Sequence, residues 1–415
     1  MTHHEPPAWW RAGAIFAAFA FNYFLSALLR AVVATLAPEF ARELQLGAGE
    51  LGLLAGAYFL GFACMQLPLG WLLDRYGARG VLLGFLVMAV VGCVGFAVAR
   101  NFGQLVLARL LIGMGVSASL MAPLTAFLRL FDQPLQLRLN SWMLMSGSLG
   151  MVASTVPVQA LLPWLGWRNL FFVLAAALML AWVMIAAIAP ADRAAGSAVS
   201  GAGSGYLRIV RHPVFVRSWP LACITYGGLI AVQSLWAGPW LTHVVGVDPV
   251  GAARGLFLIN LSMLVSFMVW GLVMPRMTVR GIGAEWLILR GWPFGAAAML
   301  LIVVLGPAAD ANWLALWCVC TSVIALSQPA VAQAFPKDEA GRALSAFNLL
   351  IFLGVFACQW GMGLAIDALT ASGWAPAASH RAAMALLLLA MIGAGAWYAT
   401  HPWLSERRRV AATRG

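Results

Sequence analysis

Charge is scarce in this chain. Asp, Glu, Lys and Arg together make up 9% of 415 residues, and lysine occurs once, as Lys337. A soluble globular domain carries about 25% charged residues. With 63% hydrophobic residues and a mean hydropathy of +0.89, there is too little polar surface to cover a water-exposed fold. Lipid is therefore the expected solvent. Other absences narrow the field. The apolar runs lack period-two alternation, which excludes a membrane barrel and leaves helices. The opening "MTHHEPPAWWRAG" has no basic n-region or cleavage signature, so no signal peptide is expected. All six cysteines (Cys64, Cys93, Cys223, Cys318, Cys320 and Cys358) fall inside apolar runs. That placement excludes an extracellular disulfide framework and any zinc spacing. No Asp, Glu or His lies deep in a run, and the six histidines sit near ends or loops. A membrane-embedded enzyme needs a buried nucleophile with a base, or clustered ligands. No enzymatic activity, cofactor or metal is expected.

What is present is a series of long apolar runs. A spanning helix needs about 20 apolar residues, because the hydrocarbon core is roughly 30 Å thick and a helix rises about 1.5 Å per residue. Twelve runs meet that requirement, near 14–37, 49–69, 81–99, 103–127, 139–163, 169–190, 216–242, 252–274, 284–305, 312–333, 343–366 and 381–400. The net charge of +11 follows topology rather than a nucleic-acid partner. With the N-terminus in the cytoplasm, 17 of the 25 Lys and Arg fall on cytoplasmic segments or helix ends, five fall outside, and Arg30, Arg109 and Arg290 lie within runs. This positive-inside bias predicts that both termini are cytoplasmic. Trp9 and Trp10 suit an interfacial belt. The segment 191–215, rich in Ser and Gly, reads as a flexible cytoplasmic linker between bundles at 1–190 and 216–415.

The two halves carry matching features. "GWLLDRYGARG", Gly70 to Gly80, returns as "GLVMPRMTVRG", Gly271 to Gly281, 201 residues later. Phe131 and Arg138 recur as Phe335 and Arg342 at an offset of 204, and Tyr23, Arg30 and Ala34 meet Tyr226, Gln233 and Ala237 at 203. Offsets that drift by a few residues indicate two diverged copies of one unit.

Twelve spans in a 6+6 arrangement with a charged turn between spans 2 and 3 resemble the major facilitator superfamily. Its signature at that turn, roughly G-x-L-x-D-R-x-G-R-K, is met by Gly70, Leu72, Asp74, Arg75, Gly77 and Arg79. "ARLLIGMG" in span 4, with Arg109, Gly113 and Gly115, resembles a second signature. The resemblance implies an all-helical membrane protein of two pseudo-symmetric six-helix bundles, a secondary transporter working by alternating access. Gly70 and Gly77 would permit close approach and a tight turn. Asp74 would accept from an Arg and face a positive helix N-terminus in the other half. Arg129 would serve as a relay. The cluster reads as a gate, weaker in the second copy, where Pro275 replaces Asp and Thr278 replaces Gly.

Charge inside a membrane is costly, roughly 2.5–3.5 kcal/mol on insertion scales, so each instance points to function. Arg30 and Arg109 lie about seven residues from the outer ends of spans 1 and 4, hence at one depth. By resemblance both spans line the central cavity, where two guanidinium groups form an anion clamp. Snorkelling of Arg30 to the interface and backbone bonding by Arg109 are the structural alternatives. Gln233, the repeat mate of Arg30, would offer neutral hydrogen bonds. Asn22, Tyr226, Asn348 and Gln359 are further candidates, with helix packing as their alternative role. Arg290, near Glu285, reads as structural. Organic-anion relatives often carry a Glu seven residues after the span-4 Arg as proton carrier; here that residue is Val116. Proton coupling is open, with Glu39, Glu43, Glu50 and Asp74 at the margins.

The expected cargo is a small organic anion taken up by a monomer in the bacterial inner membrane. Efflux of drugs, metabolites or siderophores is the alternative, although no cavity acid and no Gly-Pro step in span 5 ("GSLGMVASTVP") favour it. Copper transport is suggested only by 18 Met, which form no ladder and serve as apolar filler.

Overall fold

The computed structural model describes residues 9–190 and 202–401. Among the described residues, ten helices are long and apolar enough to cross a membrane, and Ala48–Cys64 is a shorter apolar helix. In the first half the helices are α1 (Trp9–Leu44), α2 (Ala48–Cys64), α3 (Gln66–Val98), α4 (Phe102–Val116), α5 (Met121–Leu130), α6 (Gln133–Ala153) and α7 (Val156–Ile188). Two of these contain a turn. Gly77 (φ 73°, ψ 166°) divides α3, and Gly166 (φ 66°, ψ 163°) divides α7. These turns fall between the expected second and third runs and between the fifth and sixth, so one long helix holds parts of two runs in each case.

Large apolar side chains point outward, among them Phe294 (67% exposed) and Leu389 (65%). Apolar surface of this extent is stable only against lipid. The chain is a multi-pass membrane protein.

Gly77 shows how the charged turn is made. Its backbone occupies a region that is essentially reserved for glycine, so one rod ends and the next begins without a loop. Gly77→Ala is expected to destabilise the protein by about 1–3 kcal/mol, read as a melting midpoint lowered by roughly 1–4 °C in detergent. In the second half the equivalent turn is made by Gly281 (φ 76°), 204 residues after Gly77. The register of 201 read from the motif is therefore corrected by three. Thr278, not Pro275, stands where Asp74 stands in the first copy, and the turn glycine is retained.

The halves share a second irregularity. The fourth expected run is interrupted at Ser117–Leu120, between α4 and α5, and the tenth by a 3-10 stretch, Ser322–Leu326. Ser117 Oγ donates to the Met114 carbonyl at 2.7 Å, and Ser322 Oγ to the Val319 carbonyl at 2.7 Å. Such back-bonding competes with the helical ladder. The offset of 205 continues the series from the sequence. The run Pro213–Val245 is irregular in another way, with π turns at Ala222–Tyr226, Val232–Trp236 and Leu241–Val245.

The chain forms two compact units, residues 1–44 with 57–198, and residues 45–56 with 199–415. This partition differs from the bundles read from sequence, because the first part of α2 belongs with the second unit. In unit 1, α4 lies directly on α2: a Cβ on Gly113 would sit 1.9 Å from the Tyr58 carbonyl oxygen. In unit 2, the Asp367 carboxylate caps α2, accepting from the backbone N–H of Ala48 at 2.9 Å and of Gly49 at 2.7 Å. Within the expected linker 191–215, residues Ala202–Val210 are helical, and 191–201 lie outside the described residues.

Candidate functional site

In unit 1, Arg30 projects from α1 and is partly exposed. Its guanidinium carbon stands 5.7 Å from the Phe62 ring centroid, and Tyr23 shares a hydrogen bond with it. Arg109 on α4 is fully enclosed, at 0% exposure. Its Nη1 donates to the Leu29 carbonyl at 2.9 Å, and the guanidinium lies 4.9 Å from the Tyr58 ring centroid. Arg109 thus meets α1 at the residue before Arg30, and the two guanidinium groups lie against Tyr58 and Phe62, one turn apart on α2. No described carboxylate pairs with Arg109, and its Nε and Nη2 find no hydrogen-bond partner among the described residues. Aromatic faces offset part of the cost of holding cations in a low dielectric. Asn22 on α1 is also at 0% exposure, with neither amide atom partnered among the described residues.

In unit 2, Gln233 and Tyr226 both lie on π turns of Pro213–Val245. π turns break the regular ladder and recur at functional sites. Gln233 Nε2 donates to Asn260 Oδ1 at 3.0 Å. Gln359 Nε2 donates to Ser234 Oγ at 2.9 Å, and its backbone carbonyl accepts from Trp236 Nε1 at 3.2 Å. Gln233 and Gln359 thus join one polar group. Asn348 lies on the same helix as Gln359, Lys337–Ala371, but about 16 Å away along its axis. Tyr226 packs against an apolar cluster that includes Leu221, Ile288 and Val323. Ser234 and Asn260 were not singled out by the sequence; the signal was a polar side chain within an apolar run.

The charged turn is only partly as expected. Asp74 is exposed. Arg75 lies 5.2 Å from the Trp71 ring centroid, and Arg79 Nη2 donates to the Ala186 carbonyl. A Cβ on Gly70 would meet nothing within 4 Å among the described residues, so close approach is not the reason for that glycine. The side chain of Arg129, on α5, lies outside the described residues. The marginal acids are otherwise engaged. Glu39 pairs with Arg42, Glu43 with Arg168 at 2.7 Å, and Glu50 accepts from the Gly47 N–H at 3.0 Å.

Arg217, counted among the helix-end cations, is instead buried at 1% exposure. It donates from Nε to the Tyr398 carbonyl at 2.9 Å and lies 3.8 Å from that ring centroid, with Glu285 Oε2 at 3.5 Å from Nη1. The ion-pair partner of Glu285 in this cluster is Arg217, while Arg290 stacks 4.5 Å from the Trp286 ring centroid.

Known proteins resemble this chain in sequence and in fold. The 4-hydroxybenzoate transporter PcaK of Pseudomonas putida is 28% identical over 150 residues, 36% of this chain and 34% of that protein. MdtD of Salmonella newport (strain SL254), whose name associates it with multidrug resistance, is 23% identical over 154 residues, 37% of this chain and 33% of that protein. The aligned region thus spans about a third of each of these curated relatives. Among solved structures, a bacterial homolog of the human lysosomal transporter Spinster, inward-facing and unoccupied, superposes with a TM-score of 0.74 at 17% identity, covering 95% of this chain and 97% of that one. The D-xylose-proton symporter gives a TM-score of 0.74 at 17% identity, covering 94% and 98%. The sequence profile of the Major Facilitator Superfamily matches residues 19–359, and the chain belongs to that superfamily.

Proposed function

We propose that this secondary transporter takes up a small organic anion by alternating access, binding it on Arg30. The observation that carries the reading is the pair of guanidinium groups set against one helix of unit 1, one partly exposed beside Phe62 and one beside Tyr58 pinned to the Leu29 carbonyl. A partly exposed guanidinium beside aromatic rings suits a planar carboxylate, which it binds with two parallel hydrogen bonds. Arg109 supports the site by its field and by fixing α1. Asn22, Gln233, Gln359, Asn348 and Tyr226 are assigned to the cargo path, and Asp74, Arg75, Arg79, Gly77, Gly70 and Arg129 to the gate at the turn. The positive-inside bias supports cytoplasmic termini in a bacterial inner membrane, with the chain acting as a monomer. The likeness to PcaK, named for an aromatic carboxylate, agrees with this cargo. The likeness to MdtD keeps efflux as the second reading.

Uptake into proteoliposomes tests the proposal. Saturable inward transport of small carboxylates, with no transport of lipophilic cations or neutral sugars, is the expected result. Transport confined to lipophilic cations, or carboxylate movement only in the opposite direction, would overturn it.

A further inference from the structure

We infer that His243 and His380 form a binding site for a divalent transition metal ion of the zinc or nickel class. The site lies wholly within unit 2 and does not rest on the anion reading above.

Two antiparallel helices bring the residues together. Arg217, near the start of the run Pro213–Val245, bonds Tyr398, near the end of the helix Pro376–Thr400. At the other end of the same pair, His243 meets His380. His243 stands on the π turn Leu241–Val245, which Gly246 closes at φ 83°. A π turn shifts the helical register and so re-aims the side chains it carries. The two ring centroids lie 5.2 Å apart, with planes tilted at 36°. A tetrahedral zinc ion, about 2.0–2.1 Å from each nitrogen, sets the centres of two imidazoles roughly 5 Å apart. His380 Nδ1 lies 2.8 Å from the Pro376 carbonyl oxygen. A carbonyl only accepts, so in the neutral ring the proton sits on Nδ1 and Nε2 keeps its lone pair. This bond from the second nitrogen to a backbone carbonyl is the one that orients metal-ligating histidines. Among the described residues, no hydrogen bond engages His243 or His380 Nε2. His380 is 8% exposed, with the Trp236 ring edge-on at 6.3 Å, whereas His243 is exposed. The pair thus joins a held ligand to one that solvent reaches. The neighbouring cation, Arg381, is engaged by the Val303 and Val304 carbonyls. No third His, Cys, Asp or Glu completes a cluster among the described residues, so water fills the remaining positions. Imidazole suits zinc and nickel, and magnesium prefers oxygen ligands. The ligands stand far apart in the sequence, so no spacing announces them.

The test titrates zinc, nickel and magnesium chlorides into the purified, tag-free full chain by calorimetry, with thermal melts alongside. The proteins are wild type, His243→Gln, His380→Asn and His243→Cys. Zinc and nickel should each show a saturable site that magnesium lacks, and should raise the melting midpoint as a ligand of the native state must. His243→Gln and His380→Asn should each weaken zinc at that site by about 10-fold or more. The asparagine amide can still donate to the Pro376 carbonyl, so the melting midpoint without metal should hold. His243→Cys supplies a thiolate ligand for zinc and should recover the affinity that His243→Gln loses, which a merely structural role would not produce. Should His380→Asn fail to fold, the two variants at the exposed His243 decide the matter. Zinc binding of equal strength in wild type and in His243→Gln would place the metal elsewhere on the chain and overturn the inference. So would the absence of saturable zinc or nickel binding below about 1 mM, or no recovery in His243→Cys.

Discussion

Arg30→Gln is expected to weaken binding of the transported anion by about 30-fold or more while leaving the fold intact. Removing one partner of a hydrogen-bonded charge pair that the bound anion would bury costs roughly 2–5 kcal/mol, and each 1.4 kcal/mol is about tenfold in affinity. Glutamine keeps much of the length and can still bond Tyr23, so packing beside Phe62 should change little. Arg30→Lys keeps the charge and loses the planar fork, and an intermediate loss is expected. Arg109→Gln should behave differently. That side chain is at 0% exposure and bonds the Leu29 carbonyl, so its loss should first lower the melting midpoint. Titration calorimetry beside thermal melts separates the two arginines. Wild-type affinity in Arg30→Gln, within about twofold, would remove Arg30 from the site.

Gly113→Leu should prevent recovery of folded protein. The first atom of any side chain there would lie 1.9 Å from the Tyr58 carbonyl oxygen and 2.8 Å from its carbon. Backbone atoms cannot rotate aside, so α4 and α2 would have to separate, opening the contact that also places Tyr58 beneath Arg109. Overpacking a core usually costs about 1–3 kcal/mol, and more when backbone must move; this substitution belongs at or above the top of that range. Gly70→Leu is the control, since a Cβ there meets nothing within 4 Å among the described residues. Monodisperse yield in size-exclusion chromatography should collapse for the first and hold for the second. Similar yields would mean that the close approach of α4 to α2 is not a constraint.

Both arginines were conspicuous in the sequence because charge in an apolar run has few innocent explanations. The long apolar helices were legible for the same reason, since apolar length alone sets a span. Arg217 was missed because it stands near the start of a run, where a solvated end and a buried start look alike. The second turn was read three residues out of register because its charges have drifted, and Gly281, which carries the positive φ, was matched to Gly80 rather than to Gly77. Ser234 and Asn260 escaped notice for a different reason. Small polar residues are common in membrane helices, and their hydrogen-bond partners emerge only in the fold. The π turns under Tyr226 and Gln233 have no compositional signature, so the sequence could not announce them.

The cap on α2 joins residues made far apart in time. Asp367 is translated 319 residues after Ala48, and until it arrives the first turn of α2 has no carboxylate on its N–H groups. The first half of the chain thus emerges from the ribosome with an unfinished helix, and the second half completes it. A gene divided within 191–201 would yield a second fragment lacking residues 45–56, which pack as part of unit 2. Residues 45–56 thus belong to the first half of the sequence and to unit 2 of the fold, so a cut between the halves would divide that unit.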